Sequence, residues 1–177
     1  YFPAGTYLTA TIHMKSNITL HLESGAIVRF SDRFEDYLPF VTARWEGTVM
    51  QTLSPLIYAH SADNLTITGR GTLDGNGLKW WLWEFETRKV IKENGGKLPS
   101  LDKLQQMWVD ANKDLEISDY YKPSLERKMF RPPFIQFYEC TNILIENVKI
   151  INSPFWTVNP AFCDNVTIHG VTINNPS

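Results

Sequence analysis

The residues of this sequence that could do chemistry are better suited to binding a ligand than to reacting with one. The four histidines lie at positions 13, 21, 60 and 169, without the close spacing of a metal site, and no cysteine or glutamate cluster completes one. Asp74 stands in Asp-Gly-Asn-Gly, which is a turn signal before it is a source of a reactive carboxylate. The remaining candidates carry a guanidinium, two carboxamides and an indole, and they are Arg131, Gln136, Asn159 and Trp156.

Composition sets broad limits on what the chain does. It has 177 residues and a formal net charge of -2, enough chain for one domain with a core and no polyelectrolyte signature of a nucleic-acid partner. No run approaches the roughly 20 apolar residues needed to cross a bilayer, and no signal peptide is present. Because the sequence opens on Tyr1 without a methionine and is apolar from the first residue, we expect the protein to begin upstream.

Four similar segments predict the elements that position the candidate residues. Each begins with an asparagine and then alternates apolar and polar residues, the period of a half-buried strand, and they start at Asn17, Asn64, Asn142 and Asn165. The last two are 23 residues apart, and the first two are 47 apart, which is close to two such periods. The middle interval of 78 residues equals two periods plus 32, which predicts an insertion.

A unit of about 23 residues that holds two or three short strands cannot fold alone and must stack on its neighbours. We therefore predict an all-β fold, a right-handed parallel β-helix. A leucine-rich repeat is the competitor, and the strand-only pattern disfavours it. Equivalent residues would form ladders, such as Leu65, Ile143 and Val166 on the inside. Cys140 and Cys163 are also 23 residues apart, which predicts stacked free thiols rather than a disulfide.

Residues 78–130 interrupt the repeat with a mainly helical, aromatic-rich segment. An aromatic run at 80–85 leads to a helix end at Gly95 and Gly96, and Ser100 is the predicted N-cap of a second helix. We accordingly divide the chain into the N-terminal part of a single β-helix domain, residues 1–177, and this insertion within it. The insertion is either a flap on the side of the solenoid or a wall of a substrate cleft.

With the coils laid out, several motifs carry a family resemblance. They are Phe2-Pro-Ala-Gly-Thr-Tyr, the segment 14–26, Ile67-Thr-Gly-Arg-Gly-Thr-Leu-Asp-Gly-Asn-Gly before a tryptophan pair, Arg131-Pro-Pro, and Asn152-Ser-Pro-Phe-Trp with Asn159-Pro160. On these motifs the chain resembles glycoside hydrolase family 28, the polygalacturonases, particularly the bacterial exo-acting type. The likeness covers nearly the whole chain apart from the insertion.

The resemblance implies inverting hydrolysis of α-1,4-galacturonide bonds in pectin, with one carboxylic acid on the leaving oxygen and carboxylate bases that activate a water. The family's catalytic pieces are an Asn-Thr-Asp, an adjacent Asp pair, a Gly-His-Gly and an Arg-Ile-Lys, and this sequence contains none of them. In the family pattern they begin just after a segment like 172–177. We therefore expect no catalytic residue in this chain, expect the catalytic residues downstream of Ser177, and expect the fragment alone to be inactive.

The same resemblance gives the four candidates roles in substrate binding. Arg131 can bind a uronate carboxylate in a bidentate manner, although it can equally order the Arg-Pro-Pro turn. Gln136 and Asn159 occupy one position in successive coils, point outward, and can bond sugar hydroxyls. Trp156 can stack on a sugar ring, whereas strict alternation from Val158 would turn it inward.

The resemblance also implies partners and location. We expect a pectic polysaccharide or oligogalacturonide as the ligand, no cofactor, no metal, no nucleic acid and no membrane partner, and a secreted or periplasmic protein. Two alternatives remain open: a calcium-dependent pectate lyase on the same fold and a non-catalytic carbohydrate-binding β-helix. The long insertion suggests exo action through blockage of one end of the cleft.

Overall fold

The computed structural model describes residues 1–45, 47–96, 98–115 and 131–176, and most of its regular structure is short strands. The strands are β1 (Gly5–Thr9), β2 (Ile12–His13), β3 (Thr19–Leu22), β4 (Ala26–Phe30), β5 (Val41–Trp45), β6 (Thr48–Thr52), β7 (Ile57–His60), β8 (Asp63–Gly69), β9 (Thr72–Asp74), β10 (Ile135–Tyr138), β11 (Thr141–Glu146), β12 (Lys149–Ile151), β13 (Asp164–His169) and β14 (Thr172–Asn174). The helices are the short 3-10 helix η1 (Phe34–Tyr37) and the α-helices α1 (Leu78–Glu93) and α2 (Lys103–Ala111).

Three parallel sheets wind around one core. Sheet 1 has the order β1-β4-β9-β12-β14, sheet 2 the order β2-β7-β10, and sheet 3 the order β3-β8-β11-β13. Successive strands along the chain fall in sheets 2, 3 and 1 in turn, so each circuit contributes one strand to every sheet. In the last circuit, sheet 2 continues as two isolated bridges, Ile135 to Val158 and Tyr138 to Ala161. This is the coil architecture of a parallel β-helix, and β5 and β6 form a separate antiparallel hairpin.

The strand register corrects the predicted number of coils. β3 pairs directly with β8, so the 47 residues between Asn17 and Asn64 are one coil with an insertion and not two periods. β8 likewise pairs directly with β11, so the 78-residue interval is also a single coil. Backbone hydrogen bonds between neighbouring strands fix this register, and the extra residues leave the solenoid instead of adding turns to it.

The repeated asparagines form a ladder at one corner of the coil. Asn17, Asn64, Asn142 and Asn165 all have positive φ, between 53° and 65°, a conformation that asparagine tolerates better than most residues. Asn64 Nδ2 donates to Asn17 Oδ1 over 2.8 Å, and Asn165 Nδ2 donates to Asn142 Oδ1 over 2.7 Å. The predicted interior ladder of Leu65, Ile143 and Val166 is confirmed by the pairing of β8, β11 and β13.

Both long excursions leave the solenoid at the same corner, between sheet 1 and sheet 2. The first joins β4 to β7 and holds η1 and the β5–β6 hairpin, and the second joins β9 to β10 and holds α1 and α2. The two helices lie within the predicted insertion 78–130, of which residues 116–130 fall outside the described chain. The N-cap of α2 is Asp102, in a capping box with Gln105, and not Ser100 as predicted. Among the described residues, no helix is long and apolar enough to span a membrane.

Candidate functional site

An outward column of side chains on sheet 2 is the starting point of the site. Strand pairing stacks His13, Tyr58 and Gln136 in successive coils, and the Ile135 to Val158 bridge places Asn159 on the next rung. The predicted equivalence of Gln136 and Asn159 therefore holds in the structure. The intervening positions, Ile57 and Ile135, face the core and are fully buried.

The first excursion contacts three rungs of this column and buries two of them, Tyr58 and Gln136. Ser54 Oγ, just after β6, lies 2.9 Å from His13 Nε2. Tyr58 donates its hydroxyl to the Thr42 carbonyl over 2.5 Å, and burial raises its pKa to about 12. Because the hairpin lies over Tyr58 and accepts the hydrogen bond of its hydroxyl, Tyr58 is buried and cannot contact a ligand.

Gln136 requires a correction for the same reason. Its side chain is 0% exposed, and it lies under the hairpin instead of facing a ligand. Gln136 Oε1 accepts from the Arg44 backbone N–H over 3.1 Å, and Gln136 Nε2 donates to the Arg44 carbonyl over 2.7 Å. The carboxamide is thus fully used inside the protein, and the structure removes Gln136 from the set of residues that could contact a sugar.

Asn159, on the fourth rung, is half-exposed and is not covered by the hairpin as Tyr58 and Gln136 are. Its backbone N–H donates to the Ile135 carbonyl over 2.9 Å, which fixes the rung in place. Within the described residues its side-chain carboxamide makes no hydrogen bond. Asn159 therefore keeps the free donor and acceptor that a polar ligand would need.

Three aromatic rings stack beside this rung. Phe155 and Trp156 have ring centroids 4.5 Å apart, and Trp45, from the end of β5, lies 5.6 Å from Phe155 and 6.2 Å from Trp156. Trp45 is buried, whereas Trp156 is 36% exposed and ends the stack on the solvent side. The predicted inward orientation of Trp156 does not occur, because the chain at 152–156 is not in a strand and does not follow strict alternation.

Arg131 backs the aromatic stack and is held firmly. Its Nη1 donates to the Pro154 carbonyl over 2.7 Å, and its guanidinium lies 5.0 Å from the centre of the Phe155 ring. The side chain is 17% exposed and its Nε is 3.9 Å from Glu84 Oε2. Burial lowers the pKa of Arg131 from its ordinary value, and the Glu84 carboxylate opposes that shift. Arg131 thus orders the turn before the stack while it adds positive charge behind it.

Glu84, on α1, links the second excursion to Arg131 and so to the aromatic stack. It is a buried carboxylate, and its Oε1 accepts from Arg88 Nε over 2.6 Å on the next helical turn. Since Arg131 approaches the other carboxylate oxygen, Glu84 is committed to two guanidinium groups. A carboxylate held this way fixes two guanidinium groups in place.

Sequence reasoning missed Arg44, Trp45 and Phe155. The Arg44 guanidinium lies 5.2 Å from the centre of the Phe162 ring, and Phe162 is 65% exposed. The signal that could have revealed them is the alternation of 41–45 and 48–52 around Gly47, which is typical of a hairpin with a two-residue loop. That signal would have located the hairpin but not the surface it covers.

Asp74 and the cysteines have structural surroundings, as predicted. Burial acts to raise the pKa of Asp74, but hydrogen bonds from Asn152, the Asn76 N–H and Arg29 outweigh it, so the net pKa is lowered. Arg29 Nε lies 2.9 Å from Asp74 Oδ2. Cys140 and Cys163 are both free thiols. None of these groups belongs to the aromatic stack or to the residues beside it.

Together, Trp156, Phe155, Arg131 and Asn159 form a surface, which we call the aromatic wall, that suits a flat polar ring bearing a negative charge. Ring faces bind the apolar face of such a ligand, guanidinium groups attract a carboxylate, and the carboxamide can bond hydroxyl groups. The wall contains no pair of carboxyl groups among the described residues. It is a surface for recognition rather than for acid and base chemistry.

Comparison with known proteins shows what the chain as a whole is similar to. The family model for glycosyl hydrolases family 28 matches residues 119–177. A protein of Vitis vinifera named "Probable polygalacturonase" is 28% identical over an alignment 182 positions long, which covers 99% of this chain and 29% of that protein.

Solved structures agree with the sequence matches. The hyperthermoactive exopolygalacturonase from Thermotoga maritima is 39% identical, with a TM-score of 0.74, and the match covers 98% of this chain and 38% of that one. The family 28 exopolygalacturonase of Yersinia enterocolitica is 21% identical, with a TM-score of 0.64 over 98% of this chain and 32% of that one, which supports the fold. The chain thus spans less than two fifths of each of these proteins. The predicted resemblance to family 28 and the right-handed parallel β-helix are confirmed.

Proposed function

We propose that this chain is part of a glycoside hydrolase that cleaves α-1,4-galacturonide bonds of pectin with inversion, and that it supplies a substrate-binding wall of that enzyme. The observation that carries the proposal is the half-exposed Trp156, stacked on Phe155, which in turn lies under the Arg131 guanidinium. A galacturonate unit offers a ring face to the indole and a carboxylate to the nearby positive charge. The family resemblance supplies the reaction.

The proposed division of labour separates binding from bond cleavage. Inverting glycosidases need two carboxyl groups about 6.5–9.5 Å apart on either side of the bond. The motifs that would supply them in family 28 do not occur in these 177 residues. We therefore expect the chain to bind oligogalacturonates and not to hydrolyse them by itself. In this proposal residues 1–177 are the N-terminal part of one β-helix domain, with 78–130 as the insertion within it.

The hairpin favours exo over endo action. It covers the outward groups of Tyr58 and Gln136, so a polysaccharide lying along sheet 2 meets an obstruction at these rungs. A chain end can lie against such an obstruction, whereas the middle of a polymer cannot pass it. Because pectic substrates are found outside cells, secretion or export to the periplasm is part of the same proposal.

Calorimetric titration of the chain with trigalacturonate, and with an uncharged galactose trisaccharide of the same length, tests the proposal. We expect saturable binding of the acidic ligand that weakens with salt and is lost in Trp156→Ala. Phe85→Ala is the matched control, because Phe85 is an exposed aromatic residue on α1 and not part of the aromatic wall. Equal binding of the two ligands, no binding at all, or release of reducing ends by these residues alone would contradict the proposal.

A further inference from the structure

The β5–β6 hairpin is held at both of its edges by a buried side-chain carboxamide. At the β5 edge, Gln136 binds both the N–H and the carbonyl of Arg44, over 3.1 and 2.7 Å. At the β6 edge, Asn112 binds both the N–H and the carbonyl of Gln51, each over 2.8 Å. Each carboxamide thus takes the place that a residue of a neighbouring strand would occupy.

The two carboxamides come from different parts of the molecule. Gln136 belongs to β10 in the solenoid, whereas Asn112 follows α2 in the second excursion and also donates to the Trp108 carbonyl over 2.8 Å. Both side chains are buried. The hairpin is therefore fixed between the solenoid and the helical insertion, and its open edges are closed without a third strand.

A third contact fixes the direction of the hairpin. Tyr58, one coil before Gln136, donates its hydroxyl to the Thr42 carbonyl, two residues before Arg44. β5 consequently crosses the coils in order, from the Tyr58 rung to the Gln136 rung, and it ends with Trp45 against Phe155 and Trp156. The end of β5 therefore contacts the aromatic wall through Trp45.

Arg44 is the cation that this arrangement brings to an exposed ring of the last circuit. Its guanidinium lies 5.2 Å from the centre of the exposed Phe162 ring. Its Nε is enclosed and has no hydrogen-bond partner within the described part of the chain. Arg131, by contrast, already donates to Pro154 and approaches Glu84. The enclosed Nε cannot reach a ligand, but within the described residues the two terminal nitrogens of Arg44 make no hydrogen bond or ion pair, so they are the groups left to bind a carboxylate.

We infer that Arg44 binds the carboxylate of a galacturonate unit beside the exposed Phe162, where the hairpin obstructs sheet 2, and that Gln136 and Asn112 are positioning residues that hold Arg44 there. This inference rests on the proposed function and deepens it, because it assigns a residue to the charge of the ligand. Gln136 acts through the backbone of Arg44 and contacts no sugar.

Two variants test the inference, with trigalacturonate as the ligand and amide hydrogen exchange as a second measurement. Arg44→Gln should lower the affinity about tenfold or more without changing the exchange of the hairpin amides. Gln136→Leu should lower the affinity by a similar factor and should speed exchange at the Arg44 amide about tenfold, although Arg44 is still present. Arg33→Gln is the matched control, since it makes the same charge change at an exposed side chain and should leave both measurements unaltered.

The outcomes separate this inference from the proposed function. If Arg44→Gln or Gln136→Leu binds as tightly as the wild type while Trp156→Ala weakens binding, the inference is wrong and the proposed function stands. If the wild type itself does not prefer the acidic ligand, the proposed function fails first. Should Gln136→Leu not fold, Gln136→Glu decides instead. It keeps the acceptor for the Arg44 N–H and loses the donor to the Arg44 carbonyl, so weaker binding of trigalacturonate supports the inference, and wild-type affinity overturns it.

Discussion

The rings of Phe155 and Trp156 stack with centroids 4.5 Å apart and planes inclined by 27°, although the two residues are consecutive in the chain. Phe155 supports the indole of Trp156, which is 36% exposed, while Arg131 lies on Phe155. Phe155→Leu should therefore weaken trigalacturonate binding by about 0.5–1.5 kcal/mol, the range of an aromatic pair. Calorimetry checks this value, and a loss as large as that of Trp156→Ala would show that Phe155 contacts the ligand itself.

Replacement of Glu84 should loosen the wall from the helical insertion. In Glu84→Gln the side chain keeps its size but loses its charge, so Arg88 and Arg131 lose the carboxylate they share. We expect the free energy of unfolding to fall by about 1.5–3 kcal/mol, the range for hydrogen bonds to charged groups. Urea denaturation measures it. Glu86→Gln is the control, because Glu86 lies on the exposed side of α1. This change should leave the free energy of unfolding close to that of the wild type.

Asp74 should make the fold sensitive to acid. Its pKa is lowered in the folded protein from an ordinary value of 3.8, so the native state holds the proton less tightly than the unfolded chain does. The stabilisation is complete above about pH 3.8 and is lost as the pH falls through the lower native value. Asp74→Asn should therefore be less stable at neutral pH and should show a flatter dependence of stability on pH in this acid range. Denaturation series from pH 2 to 6 compare the two; parallel curves would contradict the assignment.

The asparagine ladder should contribute both backbone conformation and side-chain hydrogen bonds. Asn142 has φ of 54° and accepts from Asn165 Nδ2 over 2.7 Å. Asn142→Ala loses the bond and places an alanine in the left-handed region, with a cost of about 1–2 kcal/mol from the backbone alone. Asn142→Gly loses the bond but not the conformation. We expect the alanine variant to be the less stable of the two in thermal denaturation, and equal stabilities would assign the whole effect to the hydrogen bond.

The two stacked thiols should differ in reactivity. Cys140 is fully buried, and burial raises the pKa of its thiol, whereas Cys163 is only half-buried. Because the thiolate is the reactive form, a thiol reagent should label Cys163 well before Cys140 in the native protein. Mass spectrometry of peptides from a timed reaction measures the order. Labelling at equal rates would mean that the coil opens around Cys140.

The coils could be predicted because their signals are local. Alternation along 143–145 and 166–168, together with the asparagine before each, encodes strand, register and corner at once, and the observed pairing of Ile143 with Val166 follows directly. The number of coils was not predicted correctly, because an interval of 47 residues fits two periods as well as one period with an insertion. Pairing of Leu20 with Ile67 decides between them, and that pairing is a long-range contact.

The candidate site was predictable only in part, for a related reason. Alternation correctly placed Gln136 outside the coil and on the rung beside Asn159, but it carried no information on what covers that rung. Gln136 lies 92 residues from its partner Arg44 in sequence, and no short-range pattern in the chain joins the two. For Trp156 the sequence left an exposed and an inward orientation open, and the exposed one occurs because a break in the strand frees the residue from the alternation that would have buried it.

Both excursions leave the solenoid at one corner, so specificity can evolve there without changes to the core. Each excursion leaves after a strand of sheet 1 and returns before a strand of sheet 2, so its length and content are independent of the repeat that builds the core. A duplication, deletion or exchange at this corner changes the segments that lie over sheet 2 while every rung below them keeps its partner. The solenoid stays constant, and changes in the excursions at this corner can alter which ligand the surface prefers.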